Sequence, residues 1–344
     1  RFTIVGCEVR VGDTSLSQGI YSFRVRGQDD VAQTEYYFSI AILENLESSD
    51  VTILTNPYSE VDWETFNQYK ANFHTHTNQS DGGAGPAAVI EAYADAGYSI
   101  LALTDHDSNN PDTTWPWTKW ISQGPVLINY RSDEKHEDYE TSALYTDLGS
   151  TGDKTILAVR GNELSSTHHT SSLFSEYGGP RSGEEYKAIQ EIRDRGGLAI
   201  LNHPGRPGFT ENRADEWYAD IYTEYQGTLI GMEVHNQGDR YPGDRERWDR
   251  VNAMLMPDIV VWGYSNDDMH QIDTHTFRNY QFMLMEELTE EALRNAMLSG
   301  ASYFCYEPRE GLSGVEFAGD HQVPLIEEIV VNDTSEVTII KIDV

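Results

Sequence analysis

The sequence predicts an α/β fold built on an incomplete or distorted parallel barrel, with β-rich pieces at both ends. Three observations predict it. From about residue 70 onward, short buried-type strands alternate with helices of 3.6-residue period. Those strands run into polar clusters at their C-terminal ends: His74 and His76, Asp105 and His106, Glu163, His203, Glu233 and His235, Asp268 and His270. Before this region and after it, the pattern is that of strands alone.

The first stretches, "RFTIVGCEVRVG", "IYSFRVRG", "TEYYFSIAIL" and "VTILT", are alternating or β-branched and carry no helical period. They define an N-terminal β-rich segment over residues 1–68. "AAVIEAYADAG" has helical spacing and ends on Gly97, and "YSILALTDHD" follows as a short buried strand. "TILAVRGNEL" is a further strand. "EEYKAIQEIRDRGG" is a helix with a glycine stop, and "LAILNHPG" is the strand after it. "LIGMEVHN", the helix "DRERWDRVNAML" and "DIVVWGYSNDDMH" continue the alternation, which closes a barrel region over 69–285. "TEEALRNAMLSGASYF" then leads into "LIEEIVV" and "EVTIIKIDV", a C-terminal helix plus small β appendage over 286–344. Seven barrel strands would place all their C-terminal ends on one face, where such folds carry their chemistry.

Composition narrows the function classes. At 344 residues with 38% hydrophobic and 11% aromatic content, the chain has room for one large globular domain and a smaller one. Its 57 acidic and 24 basic residues give a formal charge of −33, which repels phosphate backbones and argues against sequence-independent nucleic-acid binding. No apolar run approaches the ~18 residues of a membrane span. The chain starts at Arg1 rather than Met, which leads us to expect a processed or trimmed form. Cys7 and Cys305 allow either one disulfide or two buried thiols.

Two histidines at i and i+2 on a strand end project to the same side, so "HTH" can offer two imidazoles to one metal. "DMH", at 268–270, does the same with a carboxylate and an imidazole. A mixed His/Asp/Glu set with no thiolate suits Zn, Mn or Fe, and Glu163 is available to bridge two ions.

"HTHTNQSDG", "TDHD", "GNELS", "NHPGR" and "SNDDMH" occur in an order that resembles the polymerase and histidinol phosphatase (PHP) family of metal-dependent phosphoesterases. The resemblance spans residues 70–275. The lead-in "NPYSEVDWETFNQYKANFHTHT" and the later "EELTEEALRNAMLSGASYF" are similar to its exported, stand-alone bacterial branch. That implies a distorted (β/α)7 TIM-like barrel, two or three divalent metal ions, and a periplasmic, cell-surface or secreted location. By the same resemblance His74, His76, Glu163 and Asp268 hold one ion. Glu163, His203 and a histidine of the "STHHT" pair, His169 preferred to His168, hold a second, and Asp81, His106 and His270 a third. The implied reaction is hydrolysis of a small phosphorylated substrate, a phosphomonoester or phosphodiester, by metal-activated water.

Arg206 in "NHPGRP" is read as a bidentate phosphate clamp or a surface arginine, and His235 in "MEVHN" as a general acid or a core histidine. Asp105 and Asp107 flank His106, and either can orient it from behind. His136, His275 and His321 lie outside any motif and read as surface residues. Trp115, Trp117 and Trp120 form either a stacking surface over the barrel mouth or loop packing. The competing class is an extracellular structural or assembly protein, in which the strand-rich N-terminal segment exchanges strands with a neighbour and makes a homo-oligomer or filament. A nuclease is disfavoured by the acidity.

Overall fold

In the computed structural model the described residues are 2–5, 8–11, 19–28, 33–42, 54–106, 142–146, 155–165, 168–175, 177, 184–208, 213–307, 325–333 and 338–343. The chain opens with β1 (Phe2–Val5) and β2 (Glu8–Val11), then the long antiparallel pair β3 (Gly19–Gln28) and β4 (Gln33–Ile42). β5 (Asn67–Asn72), α1 (Pro86–Asp95) and β6 (Ile100–Ala102) form a parallel β-α-β unit. Proline suits the first turn of α1 because its missing N–H has no partner there anyway. Val89, Ile90, Tyr93 and Ala94 bury one face of that helix, and Gly97 stops it at φ +78°.

β7 (Ser142–Thr146) and β8 (Thr155–Val159) come next. The stretch "TILAVRGNEL", expected as one strand, is two: β8 ends at Val159, and β9 (Gly161–Leu164) belongs to a different sheet. Arg160 is the hinge, its carbonyl accepting from Phe174 N–H at 2.7 Å. The remaining elements are β10 (Thr170–Leu173), α2 (Glu185–Asp194), β11 (Leu198–Leu201), α3 (Asp215–Glu224), β12 (Leu229–Asn236), α4 (Gly243–Leu255), β13 (Trp262–Asn266), α5 (Ile272–His275), β14 (Asn279–Met285), α6 (Glu290–Ser299), β15 (Ser302–Tyr306), β16 (Glu328–Asp333) and β17 (Thr338–Asp343).

These strands make three sheets, ordered β1-β2-β17-β16, β13-β12-β11-β10-β9 and β3-β4-β15-β14-β5-β6-β8-β7. Parallel ladders join β5–β6–β8 and β11–β12–β13, and the rest are antiparallel. The architecture is therefore mixed α/β, and the described strands form no closed sheet. The barrel expected from the sequence is interrupted because β14 takes the free edge of β5, pairing Gln281 with Ala71 through Met285 with Asn67. The chain after β13 meets the chain after β5 at the isolated bridge Thr75–Met269, and Asn266 Oδ1 accepts from Phe73 N–H at 2.9 Å. A second isolated bridge, His106–Glu163, joins the other flank. Both bridges lie among the polar strand ends.

The terminal pieces share sheets. β2 pairs with β17, and β4 meets β15 at Glu35–Tyr306. The N-terminal strands proposed for exchange between subunits thus have partners within the chain. One core cluster packs Phe73, Ile90, Ile100, Leu101 and Tyr280; the other packs Ile189, Ile192, Tyr218, Tyr222 and Val251 beneath α2–α4. Cys305 is a buried free thiol. Cys7, Asp107, Trp115, Trp117, Trp120, His136 and His321 lie outside the described residues. Among the described residues, no helix is long and apolar enough to cross a membrane.

Candidate metal centre

His74 and His76 follow β5 with the alternation of a strand. Phe73 points into the core, edge-on to Tyr264, and Thr75 Oγ1 donates to Ala102 O at 2.8 Å, so the alternating His74 and His76 face the other way. Both imidazoles are fully buried. The loop that follows is pinned by Asp105, whose carboxylate accepts from Thr77 N–H (2.7 Å), Thr77 Oγ1 (2.8 Å) and Ser80 Oγ (2.7 Å). Asp105 thereby sets Asp81 rather than orienting His106. Gly82 closes this turn; a Cβ there would lie 2.6 Å from the His76 carbonyl oxygen.

Glu163 is the hub. Its Oε1 lies 3.2 Å from His74 Nε2, 2.9 Å from His169 Nδ1 and 3.3 Å from His203 Nε2. Its Oε2 lies 3.4 Å from His76 Nε2 and 3.1 Å from His106 Nδ1. Asp268 Oδ1 is 3.3 Å from His74 Nε2 and 3.2 Å from His76 Nε2. At the outer end, Asp81 Oδ2 lies 3.4 Å from His106 Nε2 and 3.3 Å from His270 Nε2. The structure thus gathers all nine sequence-predicted ligands into one continuous cluster. Within it, four subsets have the spacing for an ion: His76, Asp81, His106 and His270; His74, His203 and Asp268; His74, His76 and Glu163; His106, Glu163 and His169. His203 and Asp268 hold left-handed backbone, at φ +30° and +44°, a strained conformation that brings each side chain back over the strand ends.

The second histidine of "STHHT" is the one that faces Glu163. His168 is buried elsewhere: its Nδ1–H donates to His169 O (3.0 Å) and its Nε2 accepts from Tyr218 Oη (2.8 Å). Burial keeps it neutral, its pKa far below the usual range.

Do these residues fit metal ions? His74 Nδ1–H donates to Glu233 Oε1 at 2.8 Å, which leaves the lone pair on Nε2. That lone pair faces His76 Nε2 at 3.1 Å and two carboxylate oxygens. Likewise His270 Nδ1–H donates to Asp268 O at 2.8 Å, so its Nε2 lone pair faces Asp81 Oδ2. Electron pairs converging at such distances repel unless a proton or a cation sits among them. Donors held ~2.1 Å from one tetrahedral ion stand about 3.4 Å apart, so the observed spacings fit. Without ions the same geometry drives proton uptake. Burial disfavours the His74 imidazolium, yet the Glu163, Glu233 and Asp268 carboxylates overcome it and raise the pKa well above the ordinary histidine value. Burial likewise opposes His106, but Glu163 and Asp81 push its pKa up to about 11. His76 is the exception, its pKa lowered mainly by burial. Glu163, Asp81 and Asp268 are held below the usual carboxylate range by the imidazoles against the effect of burial.

Arg206 and His235, the residues proposed for chemistry, belong to none of these subsets. Arg206 is half-buried in the turn after His203, its N–H donating to His203 O at 3.0 Å. His235 is buried and stacks on Tyr306 (centroids 4.8 Å apart, 16° between planes), with its Nδ1 3.5 Å from Asp239 Oδ1. Sequence reasoning missed the main orienting group, Glu233. Beyond His74, this carboxylate accepts from His203 N–H (2.8 Å), Asn236 Nδ2 (2.8 Å) and Asn266 Nδ2 (3.1 Å). The available signal was a glutamate inside the apolar run "LIGMEVHN", since a buried carboxylate requires donors. Asn202, whose Nδ2 donates to Glu163 Oε1 at 2.9 Å, was also missed, as was the half-buried His275, which lies against His270 rather than on the surface.

No family model matches the chain, and no curated protein matches it. Among solved structures it is similar to a two-domain protein from Bacteroides vulgatus containing a predicted PHP-like metal-dependent phosphoesterase: 21% identity, TM-score 0.48, covering 76% of this chain and 69% of that one. It is also similar to a lesion-specific endonuclease from Pyrococcus furiosus, with 13% identity and TM-score 0.43 over 69% of this chain and 58% of the other. An amidohydrolase from Chromobacterium violaceum, solved with bound sulfate and no metal, gives 15% identity and TM-score 0.38 over 58% and 87%.

Proposed function

We propose that this chain is a metal-dependent hydrolase of a small phosphomonoester or phosphodiester. The observation that carries the reading is Glu163, a buried carboxylate whose two oxygens together meet five imidazole nitrogens. That is the arrangement of a bridging ligand. His74, His76, Asp268, His169 and His203 would hold ions on either side of Glu163, and Asp81, His106 and His270 a third. Zinc, manganese or iron suits this nitrogen and oxygen set. Such ions lower the pKa of a coordinated water toward neutrality and offset charge developing on a phosphoryl oxygen.

The chain's own residues do the positioning. Glu233 fixes the His74 tautomer and braces the His203 backbone, and Asn202 holds Glu163. Arg206, three residues after His203, would engage a substrate phosphate, for which its fork geometry is suited. His235, stacked on Tyr306 and facing Asp239, serves packing better than proton donation. We read the two mixed sheets as an opened distorted (β/α)7 barrel, a view supported by the parallel β5–β6–β8 and β11–β12–β13 ladders and the two bridges between them.

The test combines elemental analysis with hydrolysis of p-nitrophenyl phosphate and bis(p-nitrophenyl) phosphate by metal-loaded protein. His203→Ala should lower kcat/KM by about a hundredfold or more, with the circular dichroism spectrum retained. Unchanged hydrolysis by this variant, or no metal on the wild type, would overturn the reading.

A further inference from the structure

Asp268 and His270 sit on one tight turn, and something must hold it, because Asp268 is in left-handed backbone at φ +44°. Two side chains outside every ligand subset do so. Gln237, just past β12 and itself at φ +45°, donates from Nε2 to Asp268 O at 3.0 Å. The same amide nitrogen faces His275 Nδ1 at 3.2 Å. His270 N–H donates to that same Nδ1 at 3.3 Å. Arg240 Nη1 donates to Gln237 Oε1 at 2.7 Å, which fixes which end of the amide is nitrogen. The Gln237 main chain is anchored too, its N–H donating to Asn266 O at 3.1 Å.

The hydrogen-bond pattern assigns His275 a specific job. Both neighbours of its Nδ1 are donors, so Nδ1 is the unprotonated nitrogen and its lone pair is committed to acceptance. That leaves Nδ1 unavailable as a ligand. Building on the metal-centre reading above, we infer that Gln237 and His275 are positioning residues: they clamp the Asp268–His270 turn from the backbone side and keep both side chains aimed at the ions. The side chains approach from sequence positions 31 residues before Asp268 and 5 after His270, so the turn is held from both directions.

A decisive comparison uses isosteres. Asparagine can present its Oδ1 where histidine presents Nδ1, so His275→Asn keeps the acceptor and His275→Ala removes it. Gln237→Glu keeps the shape but turns the donor to Asp268 O into an acceptor. Each protein is loaded with Mn or Zn alone, metal per chain is measured by elemental analysis, and the rate of metal loss to excess chelator is followed. The expected result is that His275→Ala, Gln237→Ala and Gln237→Glu lose metal about 10–100-fold faster than wild type, while His275→Asn stays within about threefold. If Gln237→Ala fails to fold, the shape-preserving Gln237→Glu and His275→Asn carry the comparison. Equal rates for all variants overturn the proposal while leaving the metal centre standing. So does a His275→Asn protein as impaired as His275→Ala, since the imidazole would then be acting other than as an acceptor. Absence of metal on the wild type overturns both readings.

Discussion

Asp81 is the residue on which the outer part of the centre turns. Its side chain is 54% exposed, against 1% for Glu163, and its Oδ2 serves His106 and His270 together. Glu163 reaches His106 but not His270 in these contacts, so Asp81 is what draws His270 into an ion site. Asp81→Asn keeps the side-chain shape and removes the anion. We expect metal content to fall by a single ion per chain, with the Glu163-centred ions retained; unchanged metal content would mean that no ion depends on Asp81. His74, His76, His106, Glu163, His203, Asp268 and His270 were legible as histidines or carboxylates at expected strand ends, whereas Asp81 and His169 came only from the family resemblance. The orienting role of Glu233, itself marked at a strand end, and the roles of Gln237 and His275 were not. A glutamine or a lone histidine carries no signal until the fold brings up a partner, and Gln237 meets Asp268 across two elements.

At the scale of elements, the turn carrying His203 is seated on the start of α4. Gly205 N–H donates to Asp244 Oδ1 at 2.6 Å, and a Cβ on Gly205 would lie 2.3 Å from the Gly243 carbonyl carbon. Burial pushes the Asp244 carboxyl well above the usual carboxylate range, with Glu233 and Asp239 adding to the effect. The sign follows from linkage. A folded pKa raised above the unfolded one gives stability that is fully present below the unfolded value of about 3.9 and is lost as pH rises through the folded value. Asp244→Asn keeps an acceptor for Gly205 and cannot ionise. Its denaturation midpoint should therefore decline less than that of wild type as pH rises from 4 to 8, and a parallel decline would show that Asp244 does not titrate in this way. Helices with a clear stop, such as α1 before Gly97 and α2 before Gly196, were legible from the chain alone. The break at Arg160 was not, because "TILAVRGNEL" keeps a strand pattern straight through it. What divides it is pairing with two different sheets, and the sheet topology is a long-range fact.

At the scale of the whole molecule, the ligands come from both sides of a seam. His74, His76 and His106 follow strands of the eight-stranded sheet, whereas Glu163, His203 and Asp268 lie on or after strands of the five-stranded one. Where the two sheets meet, two isolated bridges and main-chain bonds do the joining: His76 N–H to Met269 O (2.8 Å), Gly83 N–H to His270 O (2.7 Å) and Glu163 N–H to Thr104 O (3.1 Å). Ions bound to donors from both sheets would cross-link this seam, and their removal would leave buried carboxylates and imidazoles to be neutralised by protons alone. An ion at about a hundredfold excess over its Kd adds about 2.7 kcal/mol to the state that binds it, or about two orders of magnitude in local opening. Chelation should therefore speed amide hydrogen exchange at His76, Gly83 and Glu163 by tenfold or more. The amides of β12, which is buried along its whole length and laddered on both edges, should change by about twofold at most. A uniform rise across both regions would show that the ions stabilise the fold globally, and no rise at the seam would show that they do not bind across it.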